Sequence, residues 1–199
     1  MPALITNISQ LDPNGTFTYA DYILWRIEER IELIKGKIFK MSPAPNLTHQ
    51  RISTQLQGAI FNFLGNQSCD LFSAPFDVRL HSLSKSIVAN SDIYTVVQPD
   101  LCVVCDKSKL DERGCLGAPD LVIEILSPGN SRKEMDDKFE LYQESGVREY
   151  WLVEPVECAV FVYVRNDTGE FIGLKPATKS VQSSIFPDLV IDLDKAFGK

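Results

Sequence analysis

The feature that most constrains the fold is the run Asp120-Leu121-Val122-Ile123-Glu124-Ile125-Leu126, which is apolar at every position except Asp120 and Glu124. Successive side chains of a strand point to opposite faces, so a run that is apolar on both faces predicts a central strand covered on both sides. Ser127-Pro128-Gly129-Asn130 ends the run, and a helix over residues 131–145 follows it. We therefore expect an α/β fold built around this strand.

The remaining periodic segments flank this unit. They predict a helix over 19–29 behind Thr18, a hairpin of 30–34 and 37–41, a helix over 47–64, and strands over 69–80, 94–105, 149–153, 158–164, 170–174 and 189–192. From residue 47 the order is helix, three strands, helix, strand. No linker divides the 199 residues, so we expect one α+β domain with a mixed sheet over residues 1–199.

Cysteine usage and the N-terminal sequence bear on the compartment. The five cysteines are odd in number and irregular in spacing, which argues against a disulfide framework and favours reduced thiols. Cys102 and Cys105 form a CxxC, but they lie in a strand where their side chains face opposite ways, and no second pair completes a zinc site. The N-terminus has no cationic region followed by an apolar one, and no apolar stretch is long enough to span a membrane. These features predict a cytoplasmic protein.

The charge of the chain is acidic and uneven. The formal net charge is −7, and residues 66–146 carry eight basic and fourteen acidic side chains. A protein that coats nucleic acid nonspecifically would be basic overall, so any DNA contact must come from local patches. The candidates are basic residues of the N-terminal third and of the loop between the two carboxylate strands: Arg26, Arg30, Lys35, Lys37, Lys40, Arg51, Lys107, Lys109 and Arg113. Ordinary solvated lysines and arginines are an equal alternative.

Two carboxylates lie where aliphatic side chains would suit a strand better. Glu124 shares a sheet face with Val122 and Leu126, and Asp100 begins the apolar run Leu101-Cys102-Val103-Val104. A buried carboxylate must become neutral or find a cation, which is a lysine, an arginine or a metal. If the strands are neighbours, the two carboxylates can share Mg²⁺, which prefers one or two carboxylates, waters and phosphate oxygens. The alternative is two structural carboxylates, salt-bridged or exposed at strand ends.

Three further residues are weaker candidates, and Lys138 is a third candidate beside Asp100 and Glu124. Asp120 shares the face of Glu124 and is either a third ligand or the cap of the strand entry. Glu32 is either an outer ligand or second partner of the metal site, or an exposed strand carboxylate. His49 contacts phosphate or acts as an acid, or it caps or packs the helix it opens. Lys138 lies on the helix after the Glu124 strand, where it is either solvated or directed back toward that strand's carboxyl end.

These residues resemble a known family. Pro99-Asp100 with Glu124-Ile125-Leu126 looks like the PD-(D/E)XK nuclease pattern without its lysine in the third place. More specifically, the chain resembles the Uma-type putative restriction endonuclease family over nearly its whole length. The matching stretches are Glu32–Lys37, Met41-Ser42-Pro43, His49, Gln98–Leu101, Ala118–Pro128, Lys138–Tyr142 and Gly146–Val153.

The resemblance implies a restriction-endonuclease-like fold and a Mg²⁺-dependent endonuclease, with Mn²⁺ as a possible substitute. Asp100, Glu124 and the backbone carbonyl of Ile125 would hold the metal, and Lys138 would be the active-site lysine moved onto the helix. DNA is the expected substrate, and a homodimer would place two sites on a duplex. Glu134 departs from the aspartate usual at its position. The alternative is a module that kept the nuclease fold, lost catalysis and binds nucleic acid or protein; a glycosidase with paired carboxylates is disfavoured because Trp25 and Trp151 look like core residues.

Overall fold

A computed structural model describes residues 4–41, 46–65, 67–81, 89–128 and 132–199. The helices and strands in these ranges, in chain order, are α1 (Tyr19–Tyr22), β1 (Ile31–Ile34), β2 (Lys37–Lys40), α2 (Leu47–Leu64), β3 (Asp70–Ser73), β4 (Val78–Leu80), β5 (Thr95–Val97), β6 (Leu101–Val104), β7 (Leu110–Asp111), β8 (Gly114–Leu116), β9 (Leu121–Ile125), α3 (Arg132–Ser145), β10 (Glu149–Glu154), β11 (Ala159–Arg165), β12 (Phe171–Gly173), β13 (Ser180–Gln182), β14 (Val190–Asp192) and α4 (Leu193–Phe197).

The strands form two six-stranded mixed sheets and a small hairpin. The first sheet has the order β2-β1-β5-β4-β8-β7, the second has the order β12-β11-β10-β9-β6-β3, and β13 pairs with β14. In the second sheet β9 runs parallel to β10 and antiparallel to β6. Following the chain through this sheet gives α2, β3, β6, β9, α3, β10, which is the predicted order of helix, three strands, helix and strand. The α+β prediction with a mixed sheet is confirmed.

Strand β9 is central and covered on both faces, as its sequence requires. Leu121, Ile123 and Ile125 belong to a buried cluster that includes Ile52, Leu56 and Ile60 of α2. On the opposite face, Val122 belongs to a cluster that includes Leu141 and Tyr142 of α3. Because the side chains alternate, Glu124 falls on the α3 side of the sheet. The helix that follows β9 therefore covers the face that carries its one interior carboxylate.

Two predicted strands and one helix are longer in the prediction than in the structure. The segments predicted at 69–80 and 94–105 each divide into a strand of the second sheet and a strand of the first. Pro75 and Pro99 lie at these divisions, where a residue without a backbone N–H cannot continue a ladder. Helix α1 is four residues long because the chain leaves the helical path, and Arg26 N–H donates to the carbonyl of Ile5 at 2.7 Å.

Several short elements were not anticipated from the sequence. These are the β7–β8 hairpin, strand β13 and helix α4. Each has two to five residues, too few for a hydrophobic period to be visible. The sequence also predicts a turn over 42–46 and a polar loop from His81 to Ser91. Both, like the turn predicted at 127–130, lie in part outside the described residues. None of the described helices is long and apolar enough to cross a membrane.

The cysteines correct one prediction. Cys69 and Cys105 form a disulfide, so the expectation that all five thiols are reduced is wrong for this pair. The physical reason is register: Asp70 pairs with Val104 across β3 and β6, which places the residues just before β3 and just after β6 opposite each other. Linear spacing does not reveal such a cross-strand pair. Cys102 and Cys115 are free and buried, and Cys158 is free and partly exposed.

Candidate active site

The antiparallel pairing of β6 with β9 places two carboxylates side by side. Leu101 pairs with Ile123, so Asp100, one residue earlier, lies opposite Glu124, one residue later. Both are at the same end of the two strands. Pro99 precedes Asp100 and separates β5 from β6, so Asp100 lies where the chain passes from the first sheet into the second.

Asp100 is held through one of its two oxygens. Its Oδ2 accepts a hydrogen bond from the backbone N–H of Ile125 at 2.8 Å and lies 3.1 Å from Nε2 of His49. An ionised carboxylate only accepts, so Nε2 carries the proton in this contact. Oδ1 makes no hydrogen bond to the part of the chain that the structure describes. The network therefore fixes the carboxylate and leaves Oδ1 for a ligand.

His49 is placed by the start of α2. Its backbone N–H donates to the side-chain oxygen of Asn46, which caps the helix. Its ring is buried, and Nδ1 has no hydrogen-bond partner among the described residues. The structure thus places His49 against Asp100 and in a packed position near the helix start. Contact with phosphate or a role as an acid stays a prediction.

Glu124 is held in a matching way from α3. Its Oε1 accepts hydrogen bonds from Lys138 Nζ at 2.9 Å and from the hydroxyl of Tyr142 at 2.6 Å. The two donors are four residues apart on one helix, so they project from the same face. Oε2 makes no hydrogen bond to the described residues. As with Asp100, one oxygen is bound by the protein and the other remains.

Lys138 connects this site to the first sheet. Its ammonium donates to Glu32 Oε1 at 3.1 Å as well as to Glu124, and both Lys138 and Glu32 are buried. The same oxygen of Glu32 accepts the backbone N–H of Gln98 at 2.9 Å. The side chain of Gln98 in turn donates to Asp77 at 2.9 Å and accepts from Arg30 at 3.1 Å. Strand β1 thereby fixes the lysine that faces the second sheet.

Burial and charge shift the pKa values of these groups in a consistent direction. The pKa of Glu124 is raised to about 7, mainly by burial and further by the negative charges of Asp100 and Glu32. Lys138 opposes this shift but does not cancel it. Burial alone would lower the pKa of Lys138, but Glu124 and Glu32 outweigh it and raise the value. Burial likewise opposes protonation of His49, and the hydrogen bond and charge of Asp100 raise its pKa above the ordinary range. The site is therefore rich in negative charge and favours any added cation.

The donor set fits a magnesium-type ion. No group of three or more His, Cys, Asp or Glu side chains within the described ranges is arranged to hold a metal. Mg²⁺ needs fewer protein ligands, since waters and substrate phosphates complete its shell. Asp100 Oδ1 and Glu124 Oε2 are oxygens of the required type, on neighbouring strands. The proposed carbonyl ligand belongs to Ile125, the residue whose N–H binds Asp100.

Asp120 lies outside this cluster. Its Oδ1 accepts from Arg148 at 2.9 Å and its Oδ2 accepts the N–H of Cys105 at 2.8 Å. Four residues of strand separate it from Glu124, or about 13 Å at ~3.3 Å per residue. Of the two alternatives for Asp120, the structure therefore supports fixing the strand entry rather than a place beside Glu124.

The basic loop between the carboxylate strands also lies away from the site. Their position between the two carboxylate strands predicts Lys107, Lys109 and Arg113 near the site, and that prediction is wrong. The loop joins the C-terminal end of β6 to the N-terminal end of β9. Asp100 precedes β6 and Glu124 is near the C-terminal end of β9, so both carboxylates lie at the opposite end of this strand pair. Lys107 pairs with Asp70, and Lys109 donates to the carbonyl of Ala118 at 2.8 Å.

Several N-terminal basic side chains also have internal partners. Lys35 pairs with Glu144, and Lys40 pairs with Glu29. Lys37 donates to two backbone carbonyls, those of Asn14 and Gly15. Arg30 differs, because its contact with Gln98 places it beside the network that holds Glu32 and Lys138. It is the member of the expected basic patch that the structure brings to the site.

A shallow crevice opens onto Glu124. Its walls include Glu124, Lys138, Glu134, Met135 and Tyr150. Glu134, which departs from the aspartate usual at its position, lies here one helical turn before Lys138. The acidic side chain is therefore retained at the crevice wall.

Fold and site together define an α+β protein of the restriction-endonuclease-like class. The chain belongs to the Uma2 family, described as "Putative restriction endonuclease", whose sequence model matches residues 19–194. The family resemblance inferred from the sequence motifs is thereby confirmed.

Two known proteins are similar to this chain. One is "Uncharacterized protein slr1290" of Synechocystis sp., which is 26% identical over 155 residues, covering 76% of each chain. The other is known from a crystal structure, described as a putative nuclease belonging to DUF820 from Anabaena variabilis. It superposes with a TM-score of 0.71 at 24% identity, covering 92% of this chain and 98% of the other. At that identity the likeness shows the fold alone.

Sequence reasoning missed two residues of the network. In the sequence, Tyr142 stands out only as the end of the matching stretch Lys138–Tyr142, and its hydroxyl contact with Glu124 was not foreseen. Its spacing of four residues from Lys138 was the available signal. Gln98 was noted only as part of the Gln98–Leu101 motif, because a backbone N–H that holds Glu32 leaves no mark in the sequence.

Proposed function

We propose that the chain is a metal-dependent endonuclease that hydrolyses phosphodiester bonds, with DNA as the expected substrate. The observation that carries the proposal is the division of labour within the two carboxylates. Asp100 and Glu124 each bind protein donors through one oxygen and leave the other, on neighbouring strands beside a buried lysine. Asp120, which lies away from this pair, uses both of its oxygens for protein donors.

In this proposal Asp100, Glu124 and the backbone carbonyl of Ile125 would hold Mg²⁺ or Mn²⁺. When bound, the metal would supply Lewis acidity toward a phosphodiester oxygen and would make water a better nucleophile at neutral pH. The residues around it supply orientation. His49 and the N–H of Ile125 fix Asp100, while Tyr142 and Lys138 fix Glu124.

Lys138 would have a second task. An ammonium group has three donors, and two of them bind Glu124 and Glu32. The third is then available to a water or to a phosphate oxygen on which negative charge accumulates. Such a fixed donor is worth roughly 3–4 kcal/mol in a transition state.

The test is a cleavage assay on plasmid, oligonucleotides and RNA with Mg²⁺, Mn²⁺ or EDTA. Asp100→Asn and Glu124→Gln keep side-chain size but remove the charge, and we expect each to lower cleavage about 100-fold or more. Glu140→Gln is the matched control, because Glu140 is exposed on the same helix as Lys138 and its variant should cleave normally.

Full activity in either site variant, or undiminished cleavage in EDTA, would sink the assignment. Nucleic-acid binding without cleavage, unchanged in Glu124→Gln and without Mg²⁺ binding by calorimetry, would favour a catalytically inactive binding module instead. A homodimer and a cytoplasmic location stay predictions from the sequence; sedimentation of the purified protein tests the first.

A further inference from the structure

A second cavity lies beside the carboxylate crevice. Its volume is about 340 Å³, and its walls come from the start of α2, the segment after β9, helix α3 and the turn after β10. This volume is at the lower end of the range of roughly 300–1,000 Å³ for small-molecule sites. Pro128, Pro155 and Val156 give much of the lining apolar character, and Asn46 and Thr48 add polar groups. The cavity thus combines apolar walls with a few hydrogen-bonding groups.

The cavity and the crevice share two side chains. Leu126 and Met135 line both. Leu126 is two residues after Glu124, about 7 Å along the strand, and Met135 lies one helical turn before Lys138. A group that occupies this cavity would therefore be within one nucleotide of a phosphate held at Asp100 and Glu124.

Charge decides which part of a nucleotide suits the cavity. Among the described residues that line it, none is lysine or arginine, and one is the carboxylate of Glu154. A phosphate there would meet a negative charge with no cation to offset it. A neutral base would not be repelled by the carboxylate of Glu154. It could pack against Leu126, Met135 and Pro155 and direct its polar edge to Thr48 or Asn46.

We propose that this cavity receives an unpaired nucleobase next to the phosphodiester that is cleaved, so that the substrate is single-stranded or locally unpaired nucleic acid. The inference rests on the proposed nuclease function for the position of the phosphate. Enzymes that accommodate a base in a pocket act on single strands or extrude the base, and they hold it between apolar side chains with hydrogen bonds to its edge. A fully paired duplex would have to open first.

The experiment fills the cavity from its solvent side. Thr48 is exposed on α2 and lines the cavity, whereas Leu47, its neighbour, is 66% exposed and does not line it. Thr48→Trp is therefore compared with Leu47→Trp, and Val156→Trp fills the cavity from the opposite wall. Circular dichroism and Mg²⁺ calorimetry establish that fold and metal binding are unchanged. Fluorescence anisotropy then measures binding of a labelled 12-nucleotide single-stranded DNA, the matching RNA and the paired DNA duplex, in EDTA.

We expect the wild-type protein to bind a single strand about tenfold more tightly than the duplex. Thr48→Trp and Val156→Trp should remove this preference, and Leu47→Trp should keep it. The DNA and RNA arms identify the sugar that is accepted, and a preference for either single strand supports the proposal. The proposal is overturned if Thr48→Trp and Val156→Trp keep the wild-type preference for the single strand. It is also overturned if the wild-type protein binds the duplex more tightly or binds no oligonucleotide. Because these measurements need no cleavage, an absence of nuclease activity would be seen separately.

Discussion

Lys138 Nζ lies 3.1 Å from Oε1 of Glu32, a residue of the first sheet that is 106 positions earlier in the chain. The same ammonium lies 2.9 Å from Glu124. A lysine buried this deeply without a partner would lose its proton, since burial lowers the pKa of a cation. Two carboxylates keep it charged. The charge of Lys138, which the proposed chemistry needs, is thus maintained from both sheets.

Replacing Glu32 tests this dependence. Glu32→Gln keeps the side-chain size but removes one of the two charges that support Lys138. We expect cleavage to fall about 10–100-fold, the range for residues that orient active-site groups, with Mg²⁺ affinity less affected because Glu32 binds Lys138 and Gln98. Glu29→Gln is the control, since Glu29 forms an exposed pair with Lys40 and contacts neither Lys138 nor Gln98 among the described residues. Unchanged cleavage and an unchanged pH profile in Glu32→Gln would remove Glu32 from the site.

Tyr142 is expected to position Glu124. Tyr142→Phe removes one hydrogen bond to a carboxylate, and the free energy of unfolding should fall by about 1–2 kcal/mol. Mg²⁺ affinity should also fall, because Glu124 Oε1 would keep Lys138 as its sole described donor. Tyr163→Phe is the matched control; Tyr163 lies in the same aromatic cluster and its hydroxyl makes no hydrogen bond to the described residues. Urea unfolding and calorimetry measure the two effects, and identical results for both variants would contradict the assignment.

The raised pKa of Glu124 predicts a pH dependence of stability in the metal-free protein. Its value is about 7 in the folded state against an ordinary 4.5, so between these limits the folded state binds more protons than the unfolded chain. Stability therefore falls as the pH rises through this interval. Glu124→Gln should flatten that slope by about 1–3 kcal/mol in total. Urea unfolding at pH 5, 6, 7 and 8 in EDTA measures it; parallel curves for the two proteins would refute the shift.

The disulfide predicts a thiol count. Under denaturing conditions without reductant, three thiols should react, those of Cys102, Cys115 and Cys158, and all five should react after reduction. Cys69→Ala should expose the thiol of Cys105 and lower the free energy of unfolding of the oxidised protein by about 2–4 kcal/mol. Five reactive thiols in the untreated protein would show that Cys69 and Cys105 are not joined.

The central part of the fold was predictable because its signals are local. The apolar run of β9 and the helical period of residues 47–64 each depend on neighbouring residues, and both appear with nearly the predicted bounds. Assignment of strands to sheets was not predictable in the same way. Pro75 and Pro99 are visible in the sequence, but nothing local shows that the chain changes sheets at each of them.

The candidate site shows the same division. Asp100 and Glu124 were recognisable because each is a carboxylate in an apolar strand, and Lys138 followed from its helix and from the family resemblance. The contact of Glu32 with Lys138 depends on how the two sheets pack, so the sequence alone could not decide between a site residue and an exposed strand carboxylate for Glu32. The basic loop at Lys107 was placed at the wrong end because antiparallel pairing was not part of the prediction.

The chain passes from β5 to β6 through Gln98, Pro99 and Asp100. This short segment contacts both sheets and also carries one residue of the proposed active site. Gln98 holds Glu32 of the first sheet, and Asp100 binds the N–H of Ile125 in the second. If the two sheets separate, Lys138 loses Glu32, one of its two anchors, and Asp100 loses the support that the passage through Gln98 gives it from the first sheet. A ligand bound there should therefore make the sheets unfold as a single cooperative unit, and partial opening of either one should release it.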